Sequence, residues 1–148
     1  MIRFPGVYAP QSDTRLISDA VRAEKLDASS QVLDLCSGSG ALSVCAAKAG
    51  AGTVFAVDIS RRAAVCTWMN GRLRGHRIHA RHGDLLTPFH GRRFDLVVSN
   101  PPYVPPWTPV RRAPAVLVVG TEATTAACCS IAYVRRHRMS CRRRARYC

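Results

Sequence analysis

Residues 31–43, QVLDLCSGSGALS, decide the fold. Gln31–Leu35 centres on Val and Leu, as a strand buried on both faces does, while ALSVCAAKA from Ala41 is a helix former that ends in Lys48 and stops at Gly50. Between them lies Cys36-Ser37-Gly38-Ser39-Gly40. A Gly-rich turn from strand to helix lets a ligand approach the backbone at the carboxyl edge of a sheet, where α/β folds bind ligands. Two phosphate loops fit poorly. The dinucleotide fingerprint G-x-G-x-x-G meets Ser43 at its third glycine, and the Walker pattern G-x-x-x-x-G-K-[ST] lacks its lysine.

Outward from this turn the same punctuation repeats. Thr53–Asp58 (TVFAVD) and Phe94–Asn100 (FDLVVSN) read as buried strands and Ile78–Asp84 (IHARHGD) as a more polar one. Ser60 can cap a second helix, RRAAVCTWMN, that runs to Gly71, with Trp68 and Met69 expected in the core. His76, His79, His82 and His90 are expected as surface and strand residues. The βαβα order predicts an α/β fold of parallel strands with right-handed crossovers. Ahead of it, Ser12-Asp13 can cap a helix from Thr14 to Lys25, its apolar positions Leu16, Ile17, Ala20, Val21 and Ala23 near helical spacing. After Asn100 the pattern collapses, because PPYVPPWTPV places five prolines in ten residues. Ala115–Val119 could add a strand, Trp107 could line a substrate entrance, and residues 121–148 show no sustained period.

The 148 residues suit one domain, or a domain with a tail, and 22 Lys+Arg against 9 Asp+Glu give +13. That charge is uneven: residues 1–104 hold 13 cations and 8 acids, so +5, and residues 105–148 hold 9 and 1, so +8. No apolar run approaches the ~20 residues of a membrane span, and MIRFPGVYAP lacks the layout of a signal peptide, so a cytoplasmic protein without membrane contact is expected. Seven cysteines form no disulfide framework, and Cys128, Cys129, His137, Cys141 and Cys148 match no zinc spacing, so reduced thiols and no metal are expected.

Three acids stand at strand ends: Asp34 after the first, Asp58 after the second, and Asp84 behind Gly83 after the third. Asp58, 18 residues beyond Gly40, is placed to accept ribose hydroxyls, and Asp34 to meet a cation. Each alone could simply cap a turn. Together, facing a loop without phosphate-gripping residues, they suit a ligand with a ribose and a positive charge but no phosphate. S-adenosylmethionine is such a ligand.

Ser99-Asn100-Pro101-Pro102-Tyr103 follows the fourth strand. With YAPQSDTRL, VLDLCSGSGAL, AVDIS, HGDLL and FDLVVSNPPYVP in this order, residues 7–105 resemble class I methyltransferases acting on planar nitrogens, most closely the HemK family, which methylates glutamine in translation release factors. The motif suits that chemistry. An amide nitrogen has its lone pair delocalised, and acceptors on Asn100 and the Pro101 carbonyl can take its two N–H bonds and turn that pair toward a methyl donor. The paired prolines stiffen the turn, and Tyr103 offers a stacking face. The resemblance implies that Thr14, Asp34, Cys36, Gly38, Gly40, Asp58, Asp84 and Leu85 surround S-adenosylmethionine, with Leu85 by the adenine and Thr14 closing over it; Cys36 stands where the family loop often has glycine. It further implies a Rossmann-like, doubly wound sheet and a protein substrate such as a release factor, in a compact branch without the leading helical domain. An adenine in nucleic acid is the alternative acceptor, since it too presents a planar NH2.

The family sheet has seven strands, yet 45 residues follow Tyr103 and lack a sheet's pattern. The expected organisation is therefore a partial methyltransferase core at 1–105 with an incomplete C-terminal half, followed by a basic Arg/Cys-rich irregular tail at 106–148. A truncated gene or a shifted reading frame would produce such a tail, and the product could be inactive. Residues 135–146, rich in arginine, could also contact nucleic acid nonspecifically through phosphates.

Overall fold

The computed structural model describes residues 1–10 and 12–101, together with the backbone of 132–135. Pro102, Tyr103, Trp107, Ala115–Val119, the cysteines and histidine of the last third, and the arginines of 136–146 lie outside the described residues.

Helix α1 (Ser12–Ala23) precedes β1 (Gln31–Leu35), α2 (Ala41–Lys48), β2 (Thr53–Asp58), α3 (Arg61–Arg72), β3 (Ile78–His82), a short 3-10 turn at Thr87–Phe89, β4 (Leu96–Ser99) and β5 (Ala132–Arg135). The strands form one sheet in the order β3-β2-β1-β4-β5. β1 pairs in parallel with both β2 and β4, Val32 aligning with Val54 on one side and Leu96 on the other. Strand order reverses at β1, which opens a crevice at the carboxyl ends, the switch point of a doubly wound sheet. β5 pairs antiparallel with β4, so the stretch expected to be irregular contributes a strand.

Alternation along the strands divides the core into two faces. Val32, Val54, Ala56, Ile78, Leu96 and Val98 pack under α1 and α2 through Ile17, Val21, Leu42 and Val44. Leu33, Leu35, Phe55, Val57 and Val97 form the other face with Phe89 and Phe94, which come from the segment between β3 and β4. The three described helices thus share one face. α2 is buried from Leu42 to Ala46, which explains why this short helix is apolar on every side.

Several boundaries and burials differ from the sequence expectation. α1 begins at Ser12, so Ser12 and Asp13 form its first turn instead of capping it, and Leu16 is 62% exposed because the buried stripe is Thr14, Ile17 and Val21. Trp68 is 48% exposed. The inner stripe of α3 is Ala63, Ala64, Cys66, Thr67, Asn70 and Gly71, and Trp68 falls outside it with Arg72 lying 5.9 Å over its ring. β3 stops at His82, short of Asp84, where Gly83 meets Pro88 closely. Ser60 does cap α3, accepting the Ala63 N–H at 3.4 Å. Among the described residues no helix is long and apolar enough to cross a membrane.

Candidate active site

At the carboxyl ends of the strands lies a cavity of about 620 Å³. Of the residues singled out in the sequence, Thr14, Asp34, Cys36, Gly38, Asp58 and Asn100 line it.

Asp34 is 1% exposed in β1. Its Oδ2 accepts the Ser43 N–H at 2.9 Å and the Ser43 hydroxyl, which ties the strand to α2, while its Oδ1 is buried with no partner. Burial pushes the carboxyl up to about 7, against the lowering effect of the Ser43 hydrogen bonds and with a smaller push from the Asp58 charge. Asp58, at the end of β2, accepts the Gly38 N–H at 2.8 Å on Oδ2 and the Ser60 N–H at 2.8 Å on Oδ1. It therefore holds the glycine turn against the start of α3 and still borders the cavity. A carboxylate with one donor on each oxygen retains lone pairs for a ligand.

The turn itself is left-handed at three residues, Cys36 (φ 57), Gly38 (φ 55) and Gly40 (φ 80). Glycine takes such angles freely, whereas Cys36 takes them with strain. Burial, then the charges of Asp58 and Asp34, push the Cys36 thiol up to about 11, with a Ser99 hydrogen bond opposing them. The sulfur is thus a neutral thiol, not a nucleophile. Gly40 does not line the cavity; a Cβ there would lie 2.8 Å from the Thr67 Cα, so its work is close packing against α3.

Asp84 and Leu85 are likewise outside the lining. Since β3 ends at His82, they belong to the following turn, where Asp84 is exposed and Leu85 sits at φ 43. Asp84 is close enough for its charge to act on the Cys36 thiol.

Asn100 follows β4 and is half-buried. Its Nδ2 donates to Thr14 Oγ1 at 3.0 Å, joining the first helix to the end of the fourth strand. That bond fixes the amide so that Oδ1 remains as an acceptor. Pro101 is half-buried beside it.

Two parts of the site were missed in the sequence. The segment ahead of the YAPQSDTRL motif supplies Arg3 and Gly6 to the lining, anchored where Ile2 N–H donates to Asn70 Oδ1 at 2.8 Å. Asn70 also donates to Ile2 O at 2.7 Å and Ser39 O at 3.0 Å, while Thr67 Oγ1 lies 3.1 Å from Ser37 Oγ and donates to Gly38 O at 3.2 Å. The available signal was Thr67 and Asn70, spaced by three within the Ala63–Cys66–Gly71 stripe of α3.

The chain is similar to known methyltransferases in sequence and in fold. A release factor glutamine methyltransferase of Streptomyces coelicolor is 39% identical over 108 residues, covering 68% of this chain and 37% of that protein. A ribosomal protein uL3 glutamine methyltransferase of Bradyrhizobium diazoefficiens is 44% identical over 77 residues, covering 50% of this chain and 24% of that protein. The chain therefore spans little more than a third of the length of the first relative and about a quarter of the second. Among solved structures, a T. thermophilus 16S rRNA N2 methyltransferase in complex with AdoMet and guanosine is similar with a TM-score of 0.63 at 26% identity, over 69% of this chain and 29% of that one. A ribosomal protein methylase from Lactobacillus delbrueckii subsp. bulgaricus has a TM-score of 0.54 at 32% identity, over 61% and 47%. Residues 3–117 match the methyltransferase small domain, and with nearly four-fifths of its length inside that match, the chain belongs to this family.

Proposed function

We propose that the cavity is the site of an S-adenosylmethionine-dependent N-methyltransferase whose acceptor is the planar amide nitrogen of a glutamine side chain in a protein, such as a release factor. One observation carries this reading: Asn100, held through its amide nitrogen by Thr14, has a side-chain oxygen without a partner among the described residues, in the same cavity as Asp34 and Asp58.

The residues fit the cofactor. Asp34 Oδ1, buried and without a partner, suits an ammonium group, and Asp58 has lone pairs left for ribose hydroxyls. When bound, S-adenosylmethionine supplies an electrophilic methyl group on a sulfonium. The family resemblance gives Asp84 and Leu85 roles at the adenine end, and Asp84 stands near enough for its charge to act on Cys36 at the cavity.

The chain's own contribution is positioning. Asn100 Oδ1 and the Pro101 carbonyl accept the two N–H bonds of the substrate amide, which rotates the nitrogen lone pair toward the donor. The family resemblance gives Tyr103 the role of a stacking face for the amide plane. Correct alignment of this kind can lower a barrier by about 7–11 kcal/mol, so no strong base is required before transfer.

Calorimetry with S-adenosylmethionine, combined with transfer of a labelled methyl group to a glutamine-containing peptide or to an adenine oligonucleotide, tests both parts. Saturable binding lost in Asp58→Ala, with label appearing on glutamine, is the expected result. Absence of binding overturns the cofactor assignment, and label on adenine alone overturns the glutamine assignment.

A further inference from the structure

The sheet face opposite the helices holds a second cavity, of about 360 Å³, that shares no lining residue with the first. It is bounded by the edge strand β3 and by the segment that carries Phe89 and Arg92. His79 and Arg81 alternate onto this face, where the His79 imidazole stacks on Phe55 at 5.2 Å. Arg92 places its guanidinium 4.7 Å from the centre of the same Phe55 ring. Burial and the charges of Arg77, Arg81 and Arg92 hold the His79 pKa below its ordinary value, so these cations act on a common point.

Among the described residues no carboxylate lines the cavity. Asp95 stands at the same end of the sheet and accepts the Gln31 N–H at 2.8 Å. Among the described residues neither Arg81 nor Arg92 is in an ion pair, and both are exposed. Guanidinium groups gathered without a counter-charge repel one another, and a tetrahedral anion relieves this by accepting several N–H bonds at once. Residues on one face of a strand recur every ~6.6 Å. That spacing matches the interval between neighbouring phosphates in an extended polynucleotide, and Arg77, His79 and Arg81 follow it along the outer edge of the sheet.

We propose that this recess docks the phosphate backbone of a single-stranded nucleic acid, with Arg81 and Arg92 contacting phosphate and Arg77 and His79 extending the track. The surface is separate from the methyl-transfer site and is independent of its assignment.

The test is anisotropy of a labelled short oligouridylate on the full chain between about 50 and 200 mM salt, where each phosphate contact to a single strand contributes about 0.7 to the slope of log affinity against log salt. Arg81→Gln and Arg92→Gln are each expected to reduce the slope by about 0.7, and the pair by about twice that. Arg15→Gln, at an exposed position on α1, is expected to change it less. Unchanged slopes in the Arg81 and Arg92 variants, or an equal fall in Arg15→Gln, would overturn the proposal by leaving only net charge. Inorganic phosphate that shifts the His79 imidazole resonances while the oligonucleotide slopes stay unchanged would assign the recess to a free ion and overturn it too. Should Arg92→Gln fail to fold because Phe55 loses its cover, Arg81→Gln on the exposed edge decides alone.

Discussion

A carboxyl group raised by burial to about 7, as that of Asp34 is, stays protonated in the folded chain at pH values where the unfolded chain has already ionised. Its stabilising contribution is intact below the ordinary aspartate value of 3.8, declines as pH rises toward 7, and is flat above that. Asp34→Asn should therefore raise the urea-unfolding free energy at pH 8 by about 1–3 kcal/mol, with the gain shrinking toward zero near pH 4. The same variant should lose S-adenosylmethionine affinity. In the wild type that affinity should climb up to about tenfold per pH unit until about pH 7 and then level off, because an ammonium group prefers the ionised form; isothermal titration at several pH values reads this directly. Cys36 combines a left-handed backbone with a thiol pushed up to about 11. Its alkylation by iodoacetamide at pH 8, followed by mass spectrometry of the folded protein, should be about a hundredfold slower than that of a free cysteine. Cys36→Gly should raise stability by about 1 kcal/mol, since glycine meets that φ without strain.

Contact between the glycine turn and α3 is a property of elements. Gly40→Ala should cost more than about 2 kcal/mol, from its φ of 80° and from collision with Thr67; adding Thr67→Ala should not restore stability, because the 2.8 Å approach to the Thr67 Cα is to backbone and the Thr67 hydroxyl bonds are lost, as denaturation midpoints would record. The first four strands, α2 and the strand-end acids Asp34 and Asp58 were legible because buried parallel strands are apolar throughout and because a turn between strand and helix needs glycine. Thr67 and Asn70 were not legible as interior residues. Polar side chains on a helix ordinarily mark its wet face, and these are buried by bonding to the Ser37–Ser39 turn and to Ile2. Trp68 was misplaced for the converse reason: size suggested the core, but the 100° step from Thr67 carries it outward, where Arg72 covers it. The leading segment has no periodicity, because it is held by side chains of α3 and by no ladder of its own. Asp84 was placed correctly in order but not in depth, since β3 ends at His82.

For the whole molecule, the strand-end acids, Asn100 and the leading helix converge on one crevice, so ligand binding there and global stability are linked. S-adenosylmethionine at about a hundred times its Kd should raise unfolding stability by about 2.7 kcal/mol, visible as a higher Tm in calorimetry and absent in Asp58→Ala. The strand order has a second consequence, which concerns the chain while it is being made. β1 sits at the centre of the four parallel strands; its partner β2 follows closely, but its other partner, β4, aligns Leu35 with Ser99 far along the sequence. Synthesis at about 5–20 residues per second leaves the nascent β1 with one bare edge for roughly 3–12 s before β4 emerges. Through that interval an apolar strand with unsatisfied backbone groups is open to wrong partners, and the Thr14–Asn100 bond that completes the crevice forms only at its end. In pulse-labelled exchange the β1–β2 amides should gain protection before those of β1–β4. The corner where Thr14 meets Asn100 thus closes late during birth on the ribosome, with only the β4–β5 pairing still to follow among the described strands, and slower translation across residues 59–95 lengthens the exposure of the very edge on which it is built.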